Sequence, residues 1–336
     1  MTSRSVQFLL VAVVLITLLC CCAGCSFSEQ QPKIVLKVVP AGSLLQPFDE
    51  VEKAFEAQHP DVDVQVEGHG SIQVIRQVTD LHRPIDVVAV ADASLIPDLM
   101  FRTDSNTGKN FTDTYTPFAT NAIVIAFTNK SRYADEINSK NWYQVLSRPD
   151  VRVGISNPML DAAGYRSIMV SLLAERYYKN STLFPALIGS HFSPPLVVQD
   201  NCGIATIRLP EVLRPSDEKL VIRDGSIFVL SHLEAGGIDY AFEYKSVAEG
   251  HDLMWVSLPP EIDLSLPDFS DEYGKVRVIL GFQRFSAIGQ NRTGQPIVYA
   301  ITIPNSAPNR DLAQEFADVV VRMAKNGGKG WPAPLN

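Results

Sequence analysis

The chain has 336 residues, with 29 Lys and Arg against 37 Asp and Glu and a formal net charge of -8. That length can bury a large core and normally divides into two domains. With no Lys/Arg run and no basic-aromatic stripe, the composition argues against a nucleic-acid partner.

The first segment, residues 1–25, reads as a targeting signal. Arg4 is followed by an apolar stretch, Phe8 to Leu19, of signal-peptide length and too short to span a bilayer. It ends in Leu19-Cys20-Cys21-Cys22-Ala23-Gly24-Cys25, whose Ala-Gly-Cys resembles a lipoprotein cleavage box. Cys25 would then be lipidated and residues 26–33 would form a tether, giving an extracytoplasmic protein anchored to the cell membrane. Cleavage by an ordinary signal peptidase and an uncleaved anchor are the alternatives. Removing Arg4 with the signal leaves a mature charge of -9 (-8 - 1). Four of the five cysteines belong to this segment, so Cys202 has no partner and no disulfide is expected. The Cys22-x-x-Cys25 spacing imitates a redox or zinc pair, but its place at a cleavage site argues against that. Acceptor triplets at Asn110, Asn129, Asn180 and Asn291 are compatible with an extracytoplasmic surface.

From residue 34 onward, strand-like runs alternate with helical patterns, as βαβ units require. Strands are predicted at 34–39, 62–66 and 86–91, with helices at 44–58, 72–82 and 93–101 between and after them. Two glycine-serine turns, Gly42-Ser43 and Gly70-Ser71, open the first two helices. In each, a serine hydroxyl and several first-turn N–H groups stand at the positive end of a helix dipole, which is a seat for an anion. The alternative is that each serine only caps its helix. A long β run, 114–128, carries the chain into a second lobe. That lobe is predicted to hold strand 151–155, helix 164–179, helix 227–235 and strand 238–244, with a proline-bearing excursion, 193–217, that the pattern does not place. Strands at 253–258, 276–281 and 297–303 and an amphipathic helix at 311–323 complete the chain. The organisation expected is residues 34–116 and 246–336 in lobe I and 117–245 in lobe II, an α/β clamshell that closes on a small ligand.

The segments Val38-Val39-Pro40-Ala41-Gly42-Ser43-Leu44, Gly70-Ser71-Ile72, Ser156-Asn157-Pro158 and Gly164-Tyr165-Arg166-Ser167 resemble, in order, the archaeal tungstate/molybdate-binding proteins of ABC importers. So do Asp86 to Asp92 and, most specifically, Asp239-Tyr240-Ala241-Phe242-Glu243-Tyr244-Lys245-Ser246-Val247-Ala248. The resemblance covers nearly the whole mature chain. It implies a type II periplasmic-binding fold with two lobes and a cleft between them, a tungstate or molybdate ligand, no cofactor, and delivery to a membrane permease with its ATPase by a monomer. It also implies oxyanion contacts from Gly42, Ser43, Ser71, Asp161, Ala162, Ala163 and Tyr244. In the family two carboxylates reach the metal centre, one in an Asp-Pro-Cys stretch and one on a glutamate near a later helix start. Here Asp161 is present as a candidate inner-sphere metal ligand, but Ala162 and Ala163 replace Pro-Cys, and Ser226 aligns with the glutamate. Because a carboxylate beside a dianion is repulsive unless it bonds the metal or is protonated, an oxyanion held closer to tetrahedral is expected, with Ser226 making a third glycine-serine turn. Glu234 or Glu243 could substitute for the missing carboxylate, but the helix and strand patterns do not obviously aim either at the cleft.

Each residue also has a plainer role. Tyr244 either donates to an anion or packs with a solvated hydroxyl. Asp161 precedes a helix, where capping is the default, and Asp92 and Ser94 read the same way. Arg166, in a first helical turn, is more readily paired with a carboxylate than with an anion, and Lys245 reads as a surface residue. The histidines His59, His69, His82, His191, His232 and His251 form no paired zinc spacing, no nucleophile elbow or phosphate-loop lysine is present, and Gly68-His69-Gly70 lacks a third glycine. The expected protein is therefore a binder and not an enzyme. The competing readings are a binder of another small anion and a clamshell sensor or enzyme domain.

Overall fold

The computed structural model describes residues 32–281 and 290–335, so the signal segment 1–25, Cys25 and most of the tether 26–33 lie outside the described residues. Among the described residues, fifteen strands make three sheets. The first is built from β1 (Ile34–Pro40), β2 (Val62–Val66), β3 (Val87–Val90), β4 (Thr116–Thr120), β14 (Val298–Thr302) and β15 (Ala333–Pro334), in the order β15-β4-β14-β3-β1-β2. The second contains β5 (Ile123–Phe127), β6 (Val153–Ser156), β9 (Leu220–Arg223), β10 (Tyr240–Tyr244) and β11 (Met254–Ser257), in the order β11-β5-β10-β6-β9. The third joins β7 (Val198–Asn201), β8 (Ile204–Arg208), β12 (Val276–Ile279) and β13 (Asn291–Thr293), in the order β13-β12-β8-β7.

The first lobe follows from its sequence pattern. Val87 to Val90 is an unbroken apolar run buried on both faces, as a central strand covered by helices requires, and it lies parallel to β1. Helix Leu45–Gln58 buries Phe48, Val51 and Phe55, and its phenylalanines meet Phe316 of the last helix, Arg310–Asn326, at ring-centroid distances of 6.0 and 5.4 Å. In the second lobe, helix Ala162–Tyr177 is buried from Ala162 to Ala174, packed against β6, β10 and β12. Its close seat needs Gly164, because a Cβ there would lie 2.3 Å from the Ser156 carbonyl oxygen.

Two stretches differ from the sequence pattern. The run 114–128 is two strands in two sheets, broken at Asn121-Ala122. Asn121 turns its side chain onto the other segment, where its carbonyl accepts the Ser246 N–H at 3.3 Å and its amide donates to Ser246 Oγ at 2.8 Å. The return expected at residue 246 falls later in the hydrogen-bonded order. β11 adds antiparallel to β5, and β12 runs parallel to β8, so the first sheet resumes only at β14. The unplaced excursion supplies β7 and β8, joined by Cys202-Gly203, both at positive φ (54 and 82°), a turn that suits a two-residue hairpin. Cys202 is exposed as a free thiol. Among the described residues no helix is long and apolar enough to cross a membrane.

Candidate anion-binding site

The two glycine-serine turns come together because the strands before them end side by side. Ala41 and His69 form a parallel bridge, the Gly42 N–H donates to the His69 carbonyl at 2.8 Å, and the His69 N–H donates to that of Pro40 at 3.1 Å. Gly42–Leu44 is a short 3-10 turn ahead of its helix, and Ser71 is the first residue of helix Ser71–Thr79. Neither hydroxyl caps its helix, which corrects the plainer reading of both serines. Ser43 Oγ accepts from the Tyr299 hydroxyl at 3.0 Å, and Ser71 Oγ accepts the Ala91 N–H at 3.0 Å.

The second lobe offers two more helix starts. Asp161 does cap its helix, accepting the Ala163 N–H at 3.4 Å, and its other oxygen accepts the Ser226 N–H at 3.0 Å. One carboxyl thus holds the heads of helices Ala162–Tyr177 and Ser226–Glu234 together. Tyr244 ends β10, and its hydroxyl accepts Arg166 Nη1 at 2.7 Å, the same nitrogen that donates to the Ala91 carbonyl across the lobes at 2.6 Å.

These contacts close into a ring that passes repeatedly between the lobes. Ser43 meets Tyr299, whose ring packs edge-on against Tyr244 at 5.8 Å. Tyr244 meets Arg166, Arg166 meets Ala91, and Ala91 meets Ser71. Gly70 backs onto Leu160 and Asp161: the Leu160 carbonyl accepts the Ile72 and Gln73 N–H groups at 3.0 and 3.3 Å. Asp161 meets Ser226, and a Cβ on Gly42 would sit 3.8 Å from Ser226 Oγ, which completes the circuit. All eight residues singled out from the sequence (Gly42, Ser43, Ser71, Asp161, Ala162, Ala163, Ser226 and Tyr244) lie on it or in the first helical turn beside it.

The ring has a consistent polarity. The hydroxyls of Ser43, Ser71 and Tyr244 each already accept a hydrogen bond, from Tyr299, the Ala91 N–H and Arg166. Each is left with its own proton to donate. Ser226 adds a fourth hydroxyl, and the first-turn N–H groups of Ser43, Ser71, Ala162 and Ile227 have no intrahelical partner. Behind the donors sits a buried charge cluster. Asp92 accepts from Tyr165 at 2.5 Å and from the Ser94 N–H and hydroxyl at 3.1 and 2.7 Å, and lies 3.8 Å from Arg166 Nη2. Burial alone would raise the Asp92 pKa, yet the Arg166 and Arg292 guanidinium groups and these hydrogen bonds hold it below the usual range. Burial raises Asp161, against the pull of its two backbone donors.

Several members were not foreseen from sequence. Arg166 pairs with Asp92 as expected of it, but its bonds to Tyr244 and Ala91 depend on contacts that only tertiary structure makes. Tyr299 and Asn121 come from remote segments, with Asn121 Nδ2 3.2 Å from the Tyr299 hydroxyl. Glu243 is 1% exposed, beside the ring, whereas Glu234 is exposed and 3.4 Å from His251. Lys245 is exposed, as expected.

Two lobes, with helix starts from each facing one another around a ring of donors, define a solute-binding protein. A sequence profile of the bacterial extracellular solute-binding proteins matches residues 36–322, and the chain belongs to that family. It is 41% identical over 292 residues to an uncharacterised solute-binding protein of Methanoculleus marisnigri, covering 86% of this chain and 78% of that one. It is 40% identical over 332 residues to the molybdate/tungstate-binding protein WtpA of Thermococcus kodakarensis, covering 93% and 86%. The fold is similar to that of the Azotobacter vinelandii periplasmic molybdate-binding protein, with a TM-score of 0.53 at 17% identity over 88% of this chain and 94% of that one.

Proposed function

We propose that this chain is the extracytoplasmic binding component of an ABC importer and captures tungstate or molybdate as the intact dianion. The observation that carries this reading is the polarity of the ring. The hydroxyls of Ser43, Ser71 and Tyr244 each already accept one hydrogen bond and keep their own proton to donate, and a fully deprotonated oxyanion needs donors only. Hydrogen phosphate brings a proton that needs an acceptor, which a seat made of helix-start N–H groups and donor hydroxyls serves less well. The name carried by the Thermococcus kodakarensis relative agrees with the assignment. Capture consists of binding to one set of helix starts and closure of the other lobe, with no chemical step. The closed monomer then presents its cargo to a membrane permease driven by an ATPase, tethered near it by lipidated Cys25.

The test is a melting-temperature screen with tungstate, molybdate, sulfate and phosphate. At about a hundred times its dissociation constant, the true ligand stabilises the folded state by roughly 2.7 kcal/mol. Tungstate or molybdate is expected to raise the melting temperature well above the effect of phosphate, and no shift with either one overturns the assignment. With Ser226 at the head of its helix and Asp161 the one carboxylate bonded there, the bound tungstate is expected to give a tetrahedral absorption-edge spectrum. A six-coordinate spectrum would contradict that.

A further inference from the structure

Five buried side-chain atoms among the described residues have no hydrogen-bond partner, and three of them, Ser156 Oγ, Arg166 Nη2 and Glu243 Oε2, belong to residues around the ring. Two of these three are neighbours on one floor. β6 and β10 run parallel with Val153 beside Tyr240 and Gly154 beside Ala241, and continuing that register two residues sets Ser156 beside Glu243 at the strand ends. Gly154 and Ala241 face helix Ser226–Glu234: a Cβ on Gly154 would meet Val229, and Ala241 packs with Val229 and Leu233. By strand alternation Ser156 and Glu243 share that face, toward the head of the same helix, where Ser226 stands. Ser156 Oγ lies near the Asp161 carboxyl without a well-formed hydrogen bond to it. Glu243 Oε1 accepts the Tyr244 N–H at 2.7 Å, and Oε2 meets nothing.

We propose that Glu243 is a proton-bearing member of the anion site, whose carboxyl lies on the floor beside Ser156 and must remain un-ionised for the dianion to bind. This rests on the proposed anion-binding function and deepens it. An un-ionised acid leaves an O–H on Oε2 that is free to donate toward the seat, directly or through an ordered water. An ionised one would place a negative charge under a dianion with little water to screen it.

Burial, and after it the nearby Asp161 carboxyl, push the Glu243 pKa up to about 8. The groups facing it are few. Asp161 comes from the head of helix Ala162–Tyr177, Tyr299 from β14 and Tyr244 from its own strand, with Arg166 behind Tyr244. Helix Ser226–Glu234 contributes Ser226 there. Tyr244 and Tyr299 are both raised by burial, Tyr299 to beyond the range in which Glu243 titrates, so neither competes with it.

The linkage has a definite sign. Below the Glu243 pKa the proton is already present and affinity is flat. Above it the proton must be taken up with the anion, and affinity falls toward tenfold per pH unit. The experiment is calorimetric titration with tungstate at about pH 7 and about pH 9, in two buffers of different ionisation enthalpy, on the intact chain and on Glu243→Gln. The parent is expected to lose about tenfold in affinity at the higher pH and to take up close to one proton per tungstate. The glutamine variant, neutral and isosteric, is expected to lose less than about threefold on raising the pH and to take up no proton, whatever its affinity at the lower pH. Equal pH dependence in both proteins overturns the proposal, as does a parent that takes up no proton at the higher pH. If the variant does not fold, a parent that takes up no proton at the higher pH still overturns the proposal. A parent that binds no tungstate or molybdate at either pH overturns the ligand assignment itself, an outcome that differs from binding without proton uptake.

Discussion

Replacing Gly70 with alanine is expected to weaken oxyanion binding by roughly 5- to 150-fold while leaving each lobe folded. The backbone at Gly70 (φ -63, ψ 145) is open to any residue, so the substitution strains nothing within its own lobe. The obstacle lies across the cleft: a Cβ would stand 2.4 Å from the Leu160 carbonyl oxygen and 2.9 Å from Asp161 Cβ. Those are a backbone atom and the root of a capping side chain, so neither can swing away. The Leu160 carbonyl is also where the Ile72 and Gln73 N–H groups dock on closure. Forcing a methyl into such a contact costs about 1–3 kcal/mol, which falls on the closed state alone and gives the stated range. Gly42→Ala is the control. Its Cβ would meet an Ile227 methyl at 3.1 Å, a side chain that can turn aside, and less than about threefold loss is expected. Titration calorimetry reads the affinities, and small-angle scattering should show Gly70→Ala staying open when ligand is added. Binding within about threefold of the parent would mean that the two lobes do not meet at Gly70.

Arg166→Met is expected to destabilise the protein by up to about 3–5 kcal/mol near neutral pH, because it takes from the buried Asp92 the stronger of its two cationic partners and leaves Arg292 alone. Arg166 and Asp92 are 2% and 4% exposed, so while the lobes stay closed water does not take the missing partner's place. The same change strips the Tyr244 hydroxyl and the Ala91 carbonyl of their shared donor. The pH dependence fixes the sign. In the parent the Asp92 pKa is held below the unfolded value, so its contribution is present above that value and is lost as pH falls through the folded pKa. Without Arg166, Arg292 is the cation left to oppose burial, so the Asp92 pKa rises above its value in the parent and acidification relieves the variant while it harms the parent. The gap in stability between the two proteins, measured by denaturant unfolding, should narrow as pH falls toward about 4. A gap that stays constant with pH would remove Asp92 as its source.

The parts of the site written into contiguous sequence were legible. Two glycine-serine turns after apolar strands, Asp161 two residues ahead of Ala163, and the block from Asp239 to Ala248 each carry their meaning within a few residues. The polarity of the hydroxyls was not legible, because what fills Ser43 comes from Tyr299 and what fills Tyr244 comes from Arg166. The place of Glu243 at the site is not legible in the sequence for a definable reason. Alternation along β10 sends it to the face opposite Tyr244, and only the arrival of a helix head on that face brings it beside Asp161. The excursion that forms β7 and β8 stayed unplaced because Asp200, Asn201 and Cys202 are polar and exposed, with no buried face to impose a period of two. β12, its parallel neighbour through β8, lies some seventy residues further along, a separation that no local pattern records.

The circuit of contacts alternates between the halves of the molecule, and this has a kinetic consequence. Neither half alone holds an uninterrupted set of donors, so a trapped ion cannot leave by loosening one wall. Escape requires the Arg166 bridge to Ala91 and the Leu160 dock beneath Ile72 to part together, which makes the opening of the whole jaw the slow event in unloading. Whatever unloads this carrier must therefore work by prying the jaw apart, and competing for the ion would not be enough.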